Sequence, residues 1–410
     1  MTPTHPMHRR AALHWLTAAG LGATALPARL ALAAGSDEAE SPRLVVVMLR
    51  GALDGLSAVP AVGDPAWAAL RGQEPAAPNG AAPRPLAGTP FALHPALGQL
   101  HQWWGEGQLL VLHAVASPYR ERSHFDAQQL LESGGERPFA LSTGWLGRAL
   151  QASGRPAVAL SPTMPVALRG SDLASTWTPS RRGTGQDDLL ARVGRLYGED
   201  RALAEAWSKA LAQQGLAQEA GMATMAGTAG MPGMDPAGGG SFTTLARQAG
   251  SFLSAERGAR VAWLESGGWD THAQQAPRLQ RQLAGLDEGL GALRAALGQH
   301  WARTTVLVMT EFGRTAVLNG SGGTDHGSGG VAMLAGGAVA GGRVLADWPG
   351  LAPTQLLDGR DLRPTQDIRG VIGAVLQRKF GLSRAQLQAG VLPGAPAAGP
   401  ALDPATWWRA

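Results

Sequence analysis

Arg43-Leu44-Val45-Val46-Val47-Met48-Leu49 has no polar residue after its first, and it breaks at once into Arg50-Gly51-Ala52-Leu53-Asp54-Gly55. A strand with one wet face alternates apolar and polar residues. An unbroken apolar run ending in a glycine turn reads instead as a strand buried on both faces. Four more runs share the pattern: Leu109–Val115 (LLVLHAV), Val261–Leu264 (VAWL), Thr304–Met309 (TTVLVM), and Val331–Leu334 (VAML) ahead of Ala335-Gly336-Gly337. Helical patterns lie between them. One covers Phe125–Glu132; the other covers Pro277–Ala302, with leucines from Leu279 to Leu297 at helical spacing. Strands separated by helices predict an α/β fold, a three-layer α/β/α sandwich around a mostly parallel central sheet. Such folds gather their chemistry beyond the carboxyl ends of the strands, and polar residues follow nearly every strand here.

Composition narrows the function. Across 410 residues, 44% are hydrophobic and 16% charged, which is enough for a large core and unlike a disordered acidic or basic chain. The 57 glycines and 28 prolines follow no Gly-X-Y period, so the chain is loop-rich and globular rather than collagen-like. There is no cysteine. A disulfide framework, a thiolate zinc finger, an iron–sulfur cluster and a cysteine nucleophile are all excluded with it. The pI of about 10.2 suggests a polyanion partner until it is set against a formal charge of only +4. Three of the arginines (Arg9, Arg10, Arg29) stand in the first 34 residues with no acid among them. Nearly neutral without that leader, the chain is not expected to bind nucleic acid.

Residues 1–34 read as an export signal. Arg9-Arg10 precede a mild apolar stretch from Ala11 to Ala28, and Ala31-Leu32-Ala33 supplies small residues for cleavage. His14, Thr17 and Pro27 interrupt the stretch, so a stable membrane anchor is not expected. The arginine pair resembles a twin-arginine signal, whose partner is the machinery that exports folded proteins, and it implies a periplasmic or secreted product. The remainder, residues 35–410, reads as a single domain. It carries a low-complexity Ala/Gly/Met insertion at about 220–241, whose Met222, Met225, Met231 and Met234 read as a surface segment or, less economically, as soft copper ligands.

The strand ends carry the candidate chemistry. Asp54 lies in the glycine turn after the first apolar run, placed for a metal or equally for a helix cap. After the second run, Ser117-Pro118-Tyr119-Arg120-Glu121-Arg122-Ser123-His124 opens a helix with Ser123 near its N-cap, where free N–H groups favour an anion. Asp270 and His272 follow the third run on a loop opened by Gly267-Gly268. Glu311 follows the fourth, with Arg314 three residues on, either holding an anionic substrate or pairing with Glu311. Asp325-His326 sits in the glycine-rich approach to the fifth. Carboxylates and imidazoles without a thiol suit Zn²⁺, Mn²⁺ or Mg²⁺ and metal-assisted hydrolysis. Asp270, His272 and His326 are expected to converge, with the two imidazole rings closer than about 8 Å.

Taken in order, the leader and the motifs LVVVMLRGALDGLS, FALHPALGQL, LLVLHAVASPYRERSHFDAQ, GWLGRAL, GGWDTHAQQ, VLVMTEFGRT, NGSGGTDHGSGG and GGRVLADWPGL resemble the DUF1501 family of exported bacterial proteins. That family looks like a branch of the alkaline phosphatase/sulfatase superfamily, and the resemblance implies an alkaline-phosphatase-like fold. It implies Asp54, Asp270, His272, Glu311 and His326 as metal ligands and Ser123 as nucleophile. Arg122 or Arg314 would steady the charge, with His124 and Asp325 beside the ligands rather than among them. Phe312 departs from the pattern, occupying the place of a second ligand after Glu311. The implied activity is metal-dependent hydrolysis of a phosphate or sulfate ester of a small molecule or carbohydrate. The alternative is a secreted binding protein that kept the fold and lost the chemistry.

Overall fold

The computed structural model describes residues 41–72, 80–179, 241–399 and 403–409, together with positions 201, 203, 204, 207 and 208. The leader and the methionines of the 220–241 segment lie outside the described residues. Within them the strands are β1 (Arg43–Leu49), β2 (Arg84–Pro85), β3 (Ala92–Leu93), β4 (Leu109–Ala116), β5 (Ala157–Ala159), β6 (Ala174–Thr176), β7 (Val261–Ser266), β8 (Thr304–Thr310), β9 (Gly330–Ala335), β10 (Arg343–Leu345) and β11 (Gln366–Asp367). The helices that matter here are α1 (Gly55–Ala58), α2 (Trp67–Arg71), α3 (Gly98–Gly105), α4 (His124–Ser133), α5 (Trp145–Ser153), α6 (Phe242–Ser254), α7 (Gln275–Leu297) and α8 (Ile368–Phe380). No described helix is long and apolar enough to cross a membrane.

The central sheet runs in the order β10-β4-β9-β8-β1-β7-β5-β6, with β11 also on β4. β1 lies parallel between β7 and β8. All seven of its residues are buried, as an unbroken apolar run requires. Alternate residues serve opposite faces: Val45, Val47 and Leu49 join one core, Leu44, Val46 and Met48 the other. The first core is closed by α3, α6 and the leucines of α7; the second by α4, α5 and α8. This is the three-layer α/β/α sandwich with a mostly parallel sheet. Each fully buried leucine contributes roughly 1.5–3 kcal/mol of transfer free energy, and the six leucines of α7 from Leu279 to Leu297 are all at most 1% exposed.

One strand runs against the others. β9 is antiparallel to both β8 and β4. The reason lies in its connection: residues 311–329 contain no crossover helix to return the chain for parallel pairing. The reversal brings the start of β9 to the edge where β1, β4, β7 and β8 end. Five loops therefore meet at one rim of the sheet.

Candidate metal centre

The loops approach so closely that two positions need glycine. Gly51 has φ +116°, and a Cβ there would lie 2.7 Å from the Asp270 backbone nitrogen. At Gly323 a Cβ would stand 2.3 Å from the His272 carbonyl carbon. Neither distance is tolerable for a side-chain carbon, so glycine on both sides lets the Asp270–His272 loop lie between the β1 turn and the approach to β9.

Three imidazoles and a carboxylate converge in that gap. Nε2 of His326 lies 3.0 Å from Nε2 of His124 and 3.0 Å from Nε2 of His272. Asp270 Oδ1 is 3.0 Å from His272 Nε2, 3.2 Å from His326 Nε2 and 3.6 Å from His124 Nε2. The ligand atoms of His124, Asp270 and His326 all fall within 4.8 Å of one another. The rings of His272 and His326 are 4.7 Å apart, inside the expected limit.

The opposite nitrogen of each ring explains the aim. Nδ1 of His124 meets Glu311 Oε1 at 2.8 Å, Nδ1 of His272 meets Asp325 Oδ1 at 3.2 Å, and Nδ1 of His326 meets the Arg122 carbonyl at 2.9 Å. A carbonyl or ionised carboxylate only accepts, so each Nδ1 carries the hydrogen; this assigns the tautomers from the partners. Each neutral ring then turns an Nε2 lone pair inward. Lone pairs 3.0 Å apart repel unless a proton or cation lies among them. Two His nitrogens bound to one tetrahedral ion at about 2.0–2.1 Å would stand about 3.3–3.4 Å apart, close to the observed spacing. The donor set therefore fits a divalent ion.

Local electrostatics act differently on each group. Glu311, fully buried, would be pushed up by burial, but hydrogen bonds from His124, Gln128 and the Gly51 N–H outweigh this and hold its carboxyl below the usual range. That hydrogen bond raises the pKa of His124. Burial lowers that of His326. At Asp270 burial is the largest single influence and acts upward, but the hydrogen bond and charge of the Arg314 guanidinium, with His272 and His124, together outweigh it and hold the carboxyl below its usual range.

Several expectations change. Asp54 does not reach the cluster: it caps α1 by accepting from the Ser57 N–H, and Arg71 grips both of its oxygens at 2.9 and 3.2 Å. With Ser57 Oγ and Gln275 Nε2 also donating, its lone pairs are taken and none is left for an ion. Glu311 stands behind His124, its Oε1 2.8 Å from Nδ1, and it is the imidazole's Nε2 that faces His326. Arg314 neither pairs with Glu311 nor faces solvent. It is buried, donating to the carbonyls of Gly51, Ala52, Trp269 and Thr324 and to Asp270, so it ties these loops together. Asp325 Oδ1 lies 3.2 Å from Nδ1 of His272, on the side of the ring away from the cluster.

Arg122 adopts φ +62°, a strained conformation for arginine, while its carbonyl is held by His326. Its Nη2 pairs with buried Asp361 at 2.9 Å, and its Nε is buried without a partner. Ser123 occupies the N-cap of α4 but makes no capping bond to its own helix; the Tyr119 hydroxyl lies against it, 3.3 Å from its backbone nitrogen. Phe312 is buried against the imidazoles, its ring 4.9 Å from His124 and 5.1 Å from His326. Where a ligand was expected, an apolar floor packs under two of the rings. Sequence reasoning missed Gln275 and Arg71, for which no local signal exists, and undervalued His124, whose position beside Ser123 was the available hint.

Among solved structures, similarity extends to Ps i-CgsB in complex with k-i-k-neocarrahexaose, at 11% identity over 86% of this chain and 75% of that one, TM-score 0.43. It extends also to the PsFucS1 sulfatase from Pseudoalteromonas sp., at 13% identity over 83% and 68%, TM-score 0.38. Human ectonucleotide pyrophosphatase/phosphodiesterase 5 matches at 9% identity over 66% and 57%, TM-score 0.32. These likenesses are too distant to assign any residue a role. No curated protein matches the sequence. The model of DUF1501, a family described as proteins of unknown function, matches residues 85–391, and the chain belongs to that family.

Proposed function

We propose that the protein is an exported, metal-dependent hydrolase of a phosphate or sulfate ester, with His124, Asp270 and His326 holding the ion and His272 adding a fourth donor. The observation that carries the reading is His326 Nε2 lying 3.0 Å from Nε2 of both His124 and His272, with Asp270 Oδ1 3.0–3.6 Å from all three, each imidazole fixed from behind by an oxygen. Nitrogen donors mixed with a single carboxylate favour Zn²⁺ or Mn²⁺ over Mg²⁺, which prefers oxygen. When bound, such an ion supplies a Lewis acid for the ester oxygen and lowers the pKa of a hydroxyl or water beside it.

The chain's own residues supply the rest. Ser123 at the head of α4 is the proposed nucleophile, next to free N–H groups that favour an anion. Arg122, with its unpartnered Nε, is the proposed holder of developing charge. Arg314 maintains Asp270 as a carboxylate. The twin-arginine leader and a periplasmic or secreted location belong to the same proposal; replacing Arg9-Arg10 by lysines should leave precursor in the cytoplasm.

A second reading, a secreted binding protein that holds an ion without ester chemistry, is favoured by one observation. Arg314 is tied to backbone and Asp270, and Asp54 is locked to Arg71, so two of the residues expected at the chemistry do not attend it. The experiment is turnover of an aryl phosphate and an aryl sulfate by protein loaded with Zn²⁺ or Mn²⁺. Metal-dependent hydrolysis that Ser123→Ala abolishes, with metal content and melting temperature nearly unchanged, is the expected result. Metal binding without turnover of either ester would replace the hydrolase by the binder.

A further inference from the structure

Behind the cluster, a buried amide ties two of its loops to the β1 turn. Gln275 is fully buried at the start of α7. Its Oε1 accepts from Thr271 Oγ1 at 2.8 Å and from Thr324 Oγ1 at 2.7 Å. Its Nε2 donates to Asp54 Oδ2 at 2.8 Å and to Ser57 Oγ at 3.0 Å. Two acceptor sites and two donor hydrogens are all an amide has, so every one is used. Thr271 stands between Asp270 and His272. Thr324 immediately precedes Asp325, which orients His272, and His326 follows. Asp54 is in turn gripped by Arg71, whose other N–H groups bond the carbonyls of Thr315 and Ala316 on the segment after Arg314.

We infer that Gln275, held by Asp54, is a positioning residue that sets the spacing between the Asp270–His272 loop and the Asp325–His326 loop, and so the affinity and geometry of the ion site. This rests on the metal-site reading above. The physical case is that a ligand set is only as exact as its supports. The two loops are neighbours in space but 53 residues apart in sequence at His272 and Asp325, and in a saturated buried network one lost hydrogen bond leaves another group unpaired. It also gives Asp54, excluded from coordination by its own hydrogen bonds, a role at the same centre.

The test is titration of the full mature chain with Co²⁺, read by its visible absorption, with the melting temperature of the same samples measured alongside. Gln275→Glu keeps the acceptor for both threonines but sets a second carboxylate against Asp54. It should weaken Co²⁺ binding about 10–100-fold, the range typical of lost supporting partners, and alter the absorption bands. The double change Asp54→Asn/Gln275→Glu reverses the polarity of that hydrogen bond while keeping the net charge, and should recover most of the affinity. Thr324→Val, a milder change that removes one hydrogen bond and should fold even where Gln275→Glu does not, should weaken binding in the same direction. Melting temperatures that fall while affinity and bands stay at wild-type values would reduce the network to scaffolding and overturn the inference. A wild-type chain that takes up no Co²⁺ would instead remove the metal reading, and this inference with it.

Discussion

Replacing Glu311 by glutamine separates a residue that orients a ligand from one that is a ligand. Oε1 of Glu311 accepts from the Gly51 N–H, from His124 Nδ1 and from Gln128 Nε2, each at 2.8 Å. A glutamine oxygen can take that place. Its NH₂ would then face Thr310 Oγ1, now 3.0 Å from Oε2, which has a lone pair to offer. Shape and nearly all hydrogen bonds survive, and what disappears is the negative charge behind His124. That charge raises the basicity of the imidazole, as the upward shift of its pKa records. Loss of such a partner typically costs 10–100-fold in metal affinity, or about 1.4–2.8 kcal/mol. A Zn²⁺ titration against a chromophoric chelator near neutral pH reads the change directly. Affinity within about threefold of wild type would show that the charge does not act through His124. A loss as complete as that of His124→Ala would put Glu311 among the ligands, and either result would refute the assignment of roles.

Two further predictions concern titration in the fold. His113, buried in β4, is pushed down to about 4 by burial, only partly opposed by its bond to the Val59 carbonyl. The folded chain thus binds fewer protons than the unfolded one between about pH 6.5 and 4, and stability should fall through that window by up to about 3 kcal/mol. In urea titrations at several pH values, His113→Gln should flatten this slope, and an unchanged slope would clear His113. Lys379 is lowered to about 7 by burial and by Arg378, with its ammonium 5.2 Å from the Trp408 ring. Here too the folded state binds fewer protons, now between about pH 7 and 10.5, so stability should rise with pH across that range. Lys379→Met should raise the melting temperature at neutral pH and remove the rise; a lower melting temperature would contradict it.

The sequence made the sheet legible because buried parallel strands advertise themselves locally. Runs such as Arg43–Leu49 and Thr304–Met309 need no partner to be recognised, and both became strands at those places. The strands β5, β6, β10 and β11 have two or three residues each, too few for any period to show. The direction of β9 depended on what the 311–329 connection lacked, which composition does not display. At the site, Asp-x-His and Asp-His were readable as metal-type spacing, and His272 and His326 do meet. Asp54 was not readable, because its fate depends on Arg71, 17 residues away and in the same buried space. Nor was the place of Glu311 behind His124, since that contact joins residues 187 apart in sequence. Gln275 gave no signal: a buried amide is noticed only when all four of its partners are in view.

The most direct test of the central claim is anomalous diffraction from a crystal of the protein soaked in Zn²⁺. One peak is predicted about 2.0–2.2 Å from Nε2 of His124, Nε2 of His326 and a carboxylate oxygen of Asp270, with Asp54 still bound to Arg71. No peak among these residues at saturating Zn²⁺, or a peak coordinated instead by Asp54, would contradict it.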